Sequence, residues 1–368
     1  MQYTPFASAV ELPFYTALAS RKINHDKLDD SPHHILGLYE IRPTDPPNVS
    51  CRVQVHGNAL TNDKAPTGYY RAEGTIRNVN TIEEYRSIDK AKLLEQAGKT
   101  IWDAISDGSI YSCPSRLASF IVLSFADLKK FRFHCWFAFP ALHSAPSWTP
   151  QDPDKQGTPS FNQHDDHNTS GGRNLSDIEN STLVDAVQAW NQTIDEHQRG
   201  FFLARKFRGG QHGAGTVQAA NRMSSHASSE TVPSVEPGFS WEIARLSAYE
   251  DGFFDGVPFA DCYVCFADPS NYDHAPGWIL RNLLVLVKRR WRLDTIQILR
   301  YRGVQSKHGH GRSKMITLAS KPQVFTAPRD EHEPVPKVTG WERNPAGKLA
   351  GRVVNLTEYL DPKRYSHL

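Results

Sequence analysis

Residues 120–140 read Phe120-Ile121-Val122-Leu123-Ser124-Phe125-Ala126-Asp127-Leu128-Lys129-Lys130-Phe131-Arg132-Phe133-His134-Cys135-Trp136-Phe137-Ala138-Phe139-Pro140. The opening Phe120 to Leu123 is apolar without a break, the pattern of a strand covered on both faces. From Phe131 onward, Phe131, Phe133, Cys135, Phe137 and Phe139 alternate with Arg132, His134, Trp136 and Ala138, which places the first five on one face of a second strand. The link from Ala126 to Lys130 is only about five residues, enough for an antiparallel hairpin and too short for a parallel crossover. Asp127, Lys129 and Lys130 are therefore expected at an exposed tip.

Working outward, residues 1–142 read as one mixed α/β unit. Ile35 to Tyr39 and Val53 to Val55 have strand character. Asp89 to Asp107 is helical, with Leu93, Ala97, Ile101 and Ala104 or Ile105 at helical spacing, and Gly108 stands where a left-handed stop is needed. Residues 143–180 are rich in His, Asp, Asn, Ser, Pro and Gly and read as a mobile loop, as do 208–238 within the following unit. Residues 181–327 form a second α/β unit. Ser181 is expected to cap a helix with Leu183, Val187, Trp190 and Ile194 on its apolar face. Phe201 to Leu203 and Cys262 to Phe266 are expected strands. Pro276 is expected to open a helix with Leu280, Leu283 or Leu284, and Val287 on one side and Arg281 and Lys288 on the other. Ile296, Ile298 and Met315 to Leu318 are further strands. Residues 328–368 are a linker and a segment that packs back on the body. The fold class is α/β: mixed sheets flanked by helices in two subdomains.

The chain has 368 residues, 39% of them hydrophobic and 11% aromatic, with a net charge of +2. That supplies a core and excludes wholesale disorder, and no global field marks a nucleic-acid or membrane binder. No run of apolar residues is long enough for a transmembrane helix, and the first twenty residues do not read as a signal peptide. Five cysteines fit a reducing compartment better than a disulfide scaffold.

The short motifs resolve into scaffold. Cys262-Tyr263-Val264-Cys265 lies inside an apolar strand run, where residues three apart point to opposite faces, so the sulfurs diverge. Gly209 to Gly215 resembles a phosphate loop but runs into Thr216-Val217 and a Ser-rich tract, not Gly-Lys-Ser/Thr. His164-Asp165-Asp166-His167 and His308-Gly309-His310 lack the convergent ligands a metal needs. No cofactor or metal site is expected. Lys288-Arg289-Arg290-Trp291-Arg292, with Arg300, Arg302, Lys307, Arg312 and Lys314, is the densest basic region. It reads as a solvated helix end, with a nucleic-acid patch at 288–314 as the rival. Gly340 to Leu356, read alone, is a surface loop pinned by Trp341 and followed by a short strand from Arg352.

Two long runs carry a resemblance. Gly340-Trp341-Glu342-Arg343-Asn344-Pro345-Ala346-Gly347-Lys348-Leu349 with Arg352-Val353-Val354-Asn355-Leu356 is the first. The second is Ser124 to Phe133 with Trp136 to Pro140. Together they resemble the N-terminal domain of the autophagy E1-like activating enzymes of fungal type. Tyr3 to Phe6, Phe14-Tyr15, Lys27 to Asp29, and Gly74-Thr75 with Asn78 and Asn80 agree with it, and the loops near 143 and 208 look like insertions. Gly351 departs from the family, which tends to have Pro there. The resemblance implies a docking half without the adenylation domain and catalytic cysteine. It also implies a cytoplasmic protein at the pre-autophagosomal structure, a monomer by itself and a dimer in the whole enzyme. It would recruit the lipidation-pathway E2 and a second autophagy E2, the first through a flexible, acidic, partly helical segment laid in a groove. The groove should have an apolar floor and a basic rim. The rim candidates are Lys129, Lys130 and Arg132 on the hairpin and Arg343, Lys348 and Arg352 in the late segment. An autonomous α/β enzyme and a nucleic-acid-binding module are the rival readings.

Overall fold

A computed structural model describes residues 1–42, 45–46, 51–151, 172–208, 238–303, 313–322, 334–344 and 346–360. The hairpin is present as β5 (Phe120–Asp127) and β6 (Arg132–Leu142), antiparallel, with Asp127 opposite Arg132. Lys129 and Lys130 are exposed at its tip. Around it lies a mixed eight-stranded sheet. β1 (Ala7–Val10), β3 (Arg52–Val55), β2 (His33–Tyr39) and β4 (Tyr70–Val79) precede β5 in spatial order, and β4 is parallel to β5. α1 (Leu12–Arg21), α2 (Ile82–Ser87) and α3 (Lys90–Asp107) flank it. α3 is bounded as its sequence dictates. The Asp89 carboxylate accepts from the amides of Ala91 and Lys92, and Gly108 at φ 84° ends the helix.

The sheet's far edge is built by the late segment. β14 (Val338–Trp341) and β15 (Arg352–Asn355) both pair antiparallel with β6, at opposite ends of it. The strand from Arg352 was expected; the loop before it is in part strand. α6 (Thr357–Leu360) follows, tied to the hairpin by Leu356 N–H donating to the Phe131 carbonyl at 2.8 Å.

The second sheet has seven strands. They are β10 (Phe239–Ala244), β9 (Phe201–Arg208), β11 (Cys262–Ala267), β12 (Thr295–Tyr301), β13 (Lys314–Ser320) and β7 (Trp148–Pro150), with β8 (Arg173–Asn174) also on β13. α4 (Asp177–Asn191) and α5 (Leu280–Leu286) accompany it. One contiguous apolar core joins the sheets, holding Phe120, Phe137 and Phe139 together with Phe201, Phe266, Leu283 and Ile298.

Several expectations need correction. α4 starts earlier than read. Ser176 is its cap, in a reciprocal capping box with Glu179, and Ser181 sits inside it with its hydroxyl on the Ile178 carbonyl. Ile194 lies past its end. The segment 143–180 contains β7, β8 and the first turn of α4, and Trp148 is buried in the core; residues 152–171, with His164 to His167, lie outside the described residues. So do 209–237, with Gly209 to Gly215, and 304–312, with His308 to His310. α5 begins at Leu280, not at Pro276. Before it Gly277 bridges to Thr4 and Trp278–Ile279 form a turn, with Trp278 N–H donating to the Thr4 carbonyl at 2.9 Å. The helix is buried almost all round, and Lys288, on the π-helical turn Val287–Trp291 that follows it, is buried too, so there is no solvated basic face.

The basic run is the largest correction. Lys288 is buried and gives its ammonium to Asp294 and to the Lys321 carbonyl. Arg290 pairs with Glu250 at 3.0 Å. Arg300 and Asp268 are both fully buried and bonded to each other. Arg302 is buried with a guanidinium N–H on the Ser270 carbonyl at 2.6 Å. Among the described residues the stretch is not a solvated helix end, because Lys288, Arg290, Arg300 and Arg302 are each bonded to an acid or a backbone carbonyl. Lys307 and Arg312 lie outside the described residues.

Candidate functional site: a groove at the seam of the first sheet

The two edges of the first sheet approach one another. β1 turns one edge to β3, and the other faces the late segment. The Glu342 carboxylate accepts from Ser8 N–H at 3.0 Å and from its hydroxyl at 2.8 Å. Arg352 donates to the Ser8 carbonyl at 3.0 Å and pairs with Glu342. The ion pair thus does for Ser8 what a neighbouring strand would do, satisfying backbone groups at an otherwise open edge.

Beside this seam runs a groove of about 760 Å³. Tyr3 to Ala7 form one wall and Val338 to Arg343 with Leu349 the other; Phe139 and Trp278 also line it. Phe6 and Phe139 are buried with ring centroids 5.4 Å apart. Trp341 is anchored by its indole N–H on the Lys90 carbonyl at 3.1 Å, and Trp278 by the same group on the Phe139 carbonyl at 2.9 Å. Gly340 forms a bulge between Thr339 and Trp341 at φ 154°, where a Cβ would stand 2.2 Å from the Phe139 carbonyl oxygen. Among the lining residues Glu342 is the one acid, and it is spent on Arg352 and Ser8; Arg52 and Arg343 are basic.

Between Glu342 and Arg352 the chain makes a small excursion closed by an Arg343–Leu349 bridge. Arg343 is exposed, with a guanidinium N–H on the Gly347 carbonyl at 2.7 Å. Lys348 is exposed on the same excursion. Arg352 is half-buried, committed to Glu342 and Ser8. Lys129, Lys130 and Arg132 stand at the other end of β6. Trp341 pairs with Ala138 and Asn355 with Arg132, so the tip is roughly 20 Å from the groove at about 3.4 Å per strand residue. Of the six, Arg343 lines the groove, Lys348 and Arg352 stand on or at the neck of the adjoining excursion, and the hairpin three lie apart from it. Gly351 is required here by crowding: a Cβ would meet Trp136 Nε1 at 2.8 Å and the Tyr85 hydroxyl at 3.0 Å.

No described side-chain set is ready for chemistry. Glu73, Cys113 and His197 bring three ligand atoms within 4.8 Å of one another. Burial would raise the Glu73 pKa, but hydrogen bonds from His34, Arg71 and Ser115 outweigh it and hold the carboxyl well below its usual range. The Arg71 guanidinium, 3.0 Å from that carboxylate, already occupies the place of a cation. Burial pushes the Cys113 thiol up. Cys262 and Cys265 are free thiols in β11, and burial raises Cys262 to about 11.

A model of the family described as "Ubiquitin-like modifier-activating enzyme ATG7 N-terminus" matches residues 1–360. The chain belongs to the ATG7 N-terminus family. It is 56% identical over 364 residues to the ubiquitin-like modifier-activating enzyme atg7 of Emericella nidulans, covering 99% of this chain and 50% of the relative. With ATG7 of Ajellomyces capsulatus it is 58% identical over 371 residues, again 99% and 50%. The chain spans about half the length of the curated relatives it matches. The crystal structure of Kluyveromyces marxianus Atg7NTD superposes with a TM-score of 0.58 at 16% identity, over 97% of this chain and 99% of that one. The same domain in a complex with Atg10 gives 0.58 at 16%, over 97% and 98%. This likeness shows that the ATG7 N-terminal fold is shared. Of the residues that sequence reading named as a basic rim, Arg343 lines this groove; Arg52 and Trp278 were not named, because nothing local marks residues that meet across more than two hundred positions.

Proposed function

We propose that this chain is the E2-recruiting part of an autophagy E1-like activating enzyme, and that the groove is where an E2-like conjugating enzyme lays its flexible acidic segment. The observation that carries this reading is the groove's make-up: an aromatic floor between two chain segments, with basic residues at its margin and its one acid internally neutralised. The Kluyveromyces marxianus domain named in complex with Atg10 supports an E2-like partner of that type, and the lipidation-pathway E2 is proposed as the second. Arg52, Arg343 and Lys348 serve as the groove's basic rim. Arg352 holds the seam shut, and Lys129, Lys130 and Arg132 meet a more distant part of the docked segment along β6. The contribution to catalysis is tethering, which raises the local concentration of the E2 at a thioester formed elsewhere in the enzyme. Ordering a flexible segment costs free energy, so the affinity is moderate. Calorimetric titration of the chain with an Atg10-type conjugating enzyme should give a Kd of tens of micromolar or tighter, about −6 kcal/mol. No measurable binding at that concentration, or ATP–pyrophosphate exchange by the chain alone, would overturn it.

A further inference from the structure

We propose that Arg281 is a carboxylate clamp at the Trp278 end of the groove, receiving an acidic side chain of the docked segment. This rests on the docking reading and adds the group that selects for acid. The Arg281 guanidinium lies 4.5 Å from the centroid of the Trp278 ring and 5.4 Å from that of Tyr3. Both rings line the groove. Among the described residues no carboxylate or carbonyl takes a hydrogen bond from this guanidinium, whereas Arg205 has Glu242, Arg290 has Glu250 and Arg300 has Asp268.

A partly buried imidazole stands near it. His143 and Lys337 lie close enough that Arg281 and Lys337 help to disfavour the His143 imidazolium, after burial. The His143 ring bonds the Thr339 hydroxyl at 2.9 Å, and Thr339 is a lining residue. Burial disfavours the charge on the Arg281 guanidinium, and its contacts with two aromatic rings offset that only in part. An incoming carboxylate completes the arrangement. The rings make no hydrogen bonds to the guanidinium, so its planar fork of N–H donors is left for an acceptor, and such a fork takes a carboxylate through two parallel bonds. The clamp is preformed. Arg281 N–H donates to the Trp278 carbonyl at 3.2 Å, the indole is fixed on Phe139, and α5 behind it is buried.

The test titrates the wild-type chain and Arg281→Gln with the Atg10-type conjugating enzyme, and with a variant of that enzyme whose docking-segment Asp and Glu are changed to Asn and Gln. Arg281→Gln should weaken the native partner about tenfold or more and the amide variant less than about twofold, the coupling expected of a direct pair. Equal loss with both partners, or no loss with the native one, overturns the clamp while docking stands. If the wild-type chain binds neither partner, the docking reading itself is wrong. Thermal unfolding is read alongside. Should Arg281→Gln unfold, Arg281→Lys keeps the charge and loses the fork, and it should bind the native partner at least about threefold more weakly; unchanged affinity there overturns the proposal.

Discussion

Glu342 and Arg352 are ion-paired across the neck of the 343–351 excursion, and both reach back to Ser8 on the opposite edge of the sheet. One pair therefore fixes the late segment in two directions, holding the excursion closed and the seam shut.

Removing one partner leaves the other charged and partly desolvated. Arg352→Gln should lower stability by about 1–3 kcal/mol, read as the urea midpoint. The double variant Glu342→Gln/Arg352→Gln should cost less than the two single changes summed. Full additivity would mean that the two side chains act independently.

Gly351→Pro tests the crowding at this position. In this chain it should destabilise by about 1–3 kcal/mol, since the new ring meets Trp136 Nε1 and the Tyr85 hydroxyl. Chemical denaturation with intrinsic Trp fluorescence as readout checks this.

Charge reversal at the hairpin tip, Lys129→Glu with Lys130→Glu, should weaken capture of the conjugating enzyme. Both side chains are exposed, so stability should stay within about 0.5 kcal/mol. Unaltered capture by a folded double variant would remove the tip from the docking surface.

Arg300→Gln should cost about 3–5 kcal/mol, because it strands Asp268 with no exposure to water. The wild-type chain titrated with an oligonucleotide should show no steep salt dependence. A folded Arg300→Gln chain that had merely lost nucleic-acid affinity would restore the rival reading of residues 288–314.

His134 and His143 both have pKa values lowered from 6.5, chiefly by burial. A lowered folded-state value means that the unfolded chain takes up protons first as pH falls. Their contribution is therefore fully present above pH 6.5 and is lost as pH drops through the folded-state values. The Tm should fall on going from pH 7.5 to 5.5, and less steeply in His143→Gln.

Local order along the chain was enough to read the β5–β6 hairpin, the alternation that buries Phe133, Cys135 and Phe137, and α3 between Asp89 and Gly108. Each of these depends on periodicity and on caps a few residues away. The α4 start was equally local. Ser176 and Glu179 spell a capping box, and Ser181 was chosen where Ser176 should have been. The two long runs that carried the family resemblance lie side by side on β6, which explains why they read as a unit though some two hundred residues separate them.

What tertiary structure alone decided was the fate of the charges. Arg300, Arg302 and Lys288 look like a basic face in one dimension; in three, Arg300 and Lys288 are buried and ion-paired, and Arg302 is buried on the Ser270 carbonyl. Arg281 reads as the polar side of an ordinary helix and lies over the Tyr3 and Trp278 rings with no carboxylate partner among the described residues. The reason is physical. A side chain's hydrophobic period is set by its own element, whereas the stability of a charge is set by whichever groups the fold brings within a few ångströms of it.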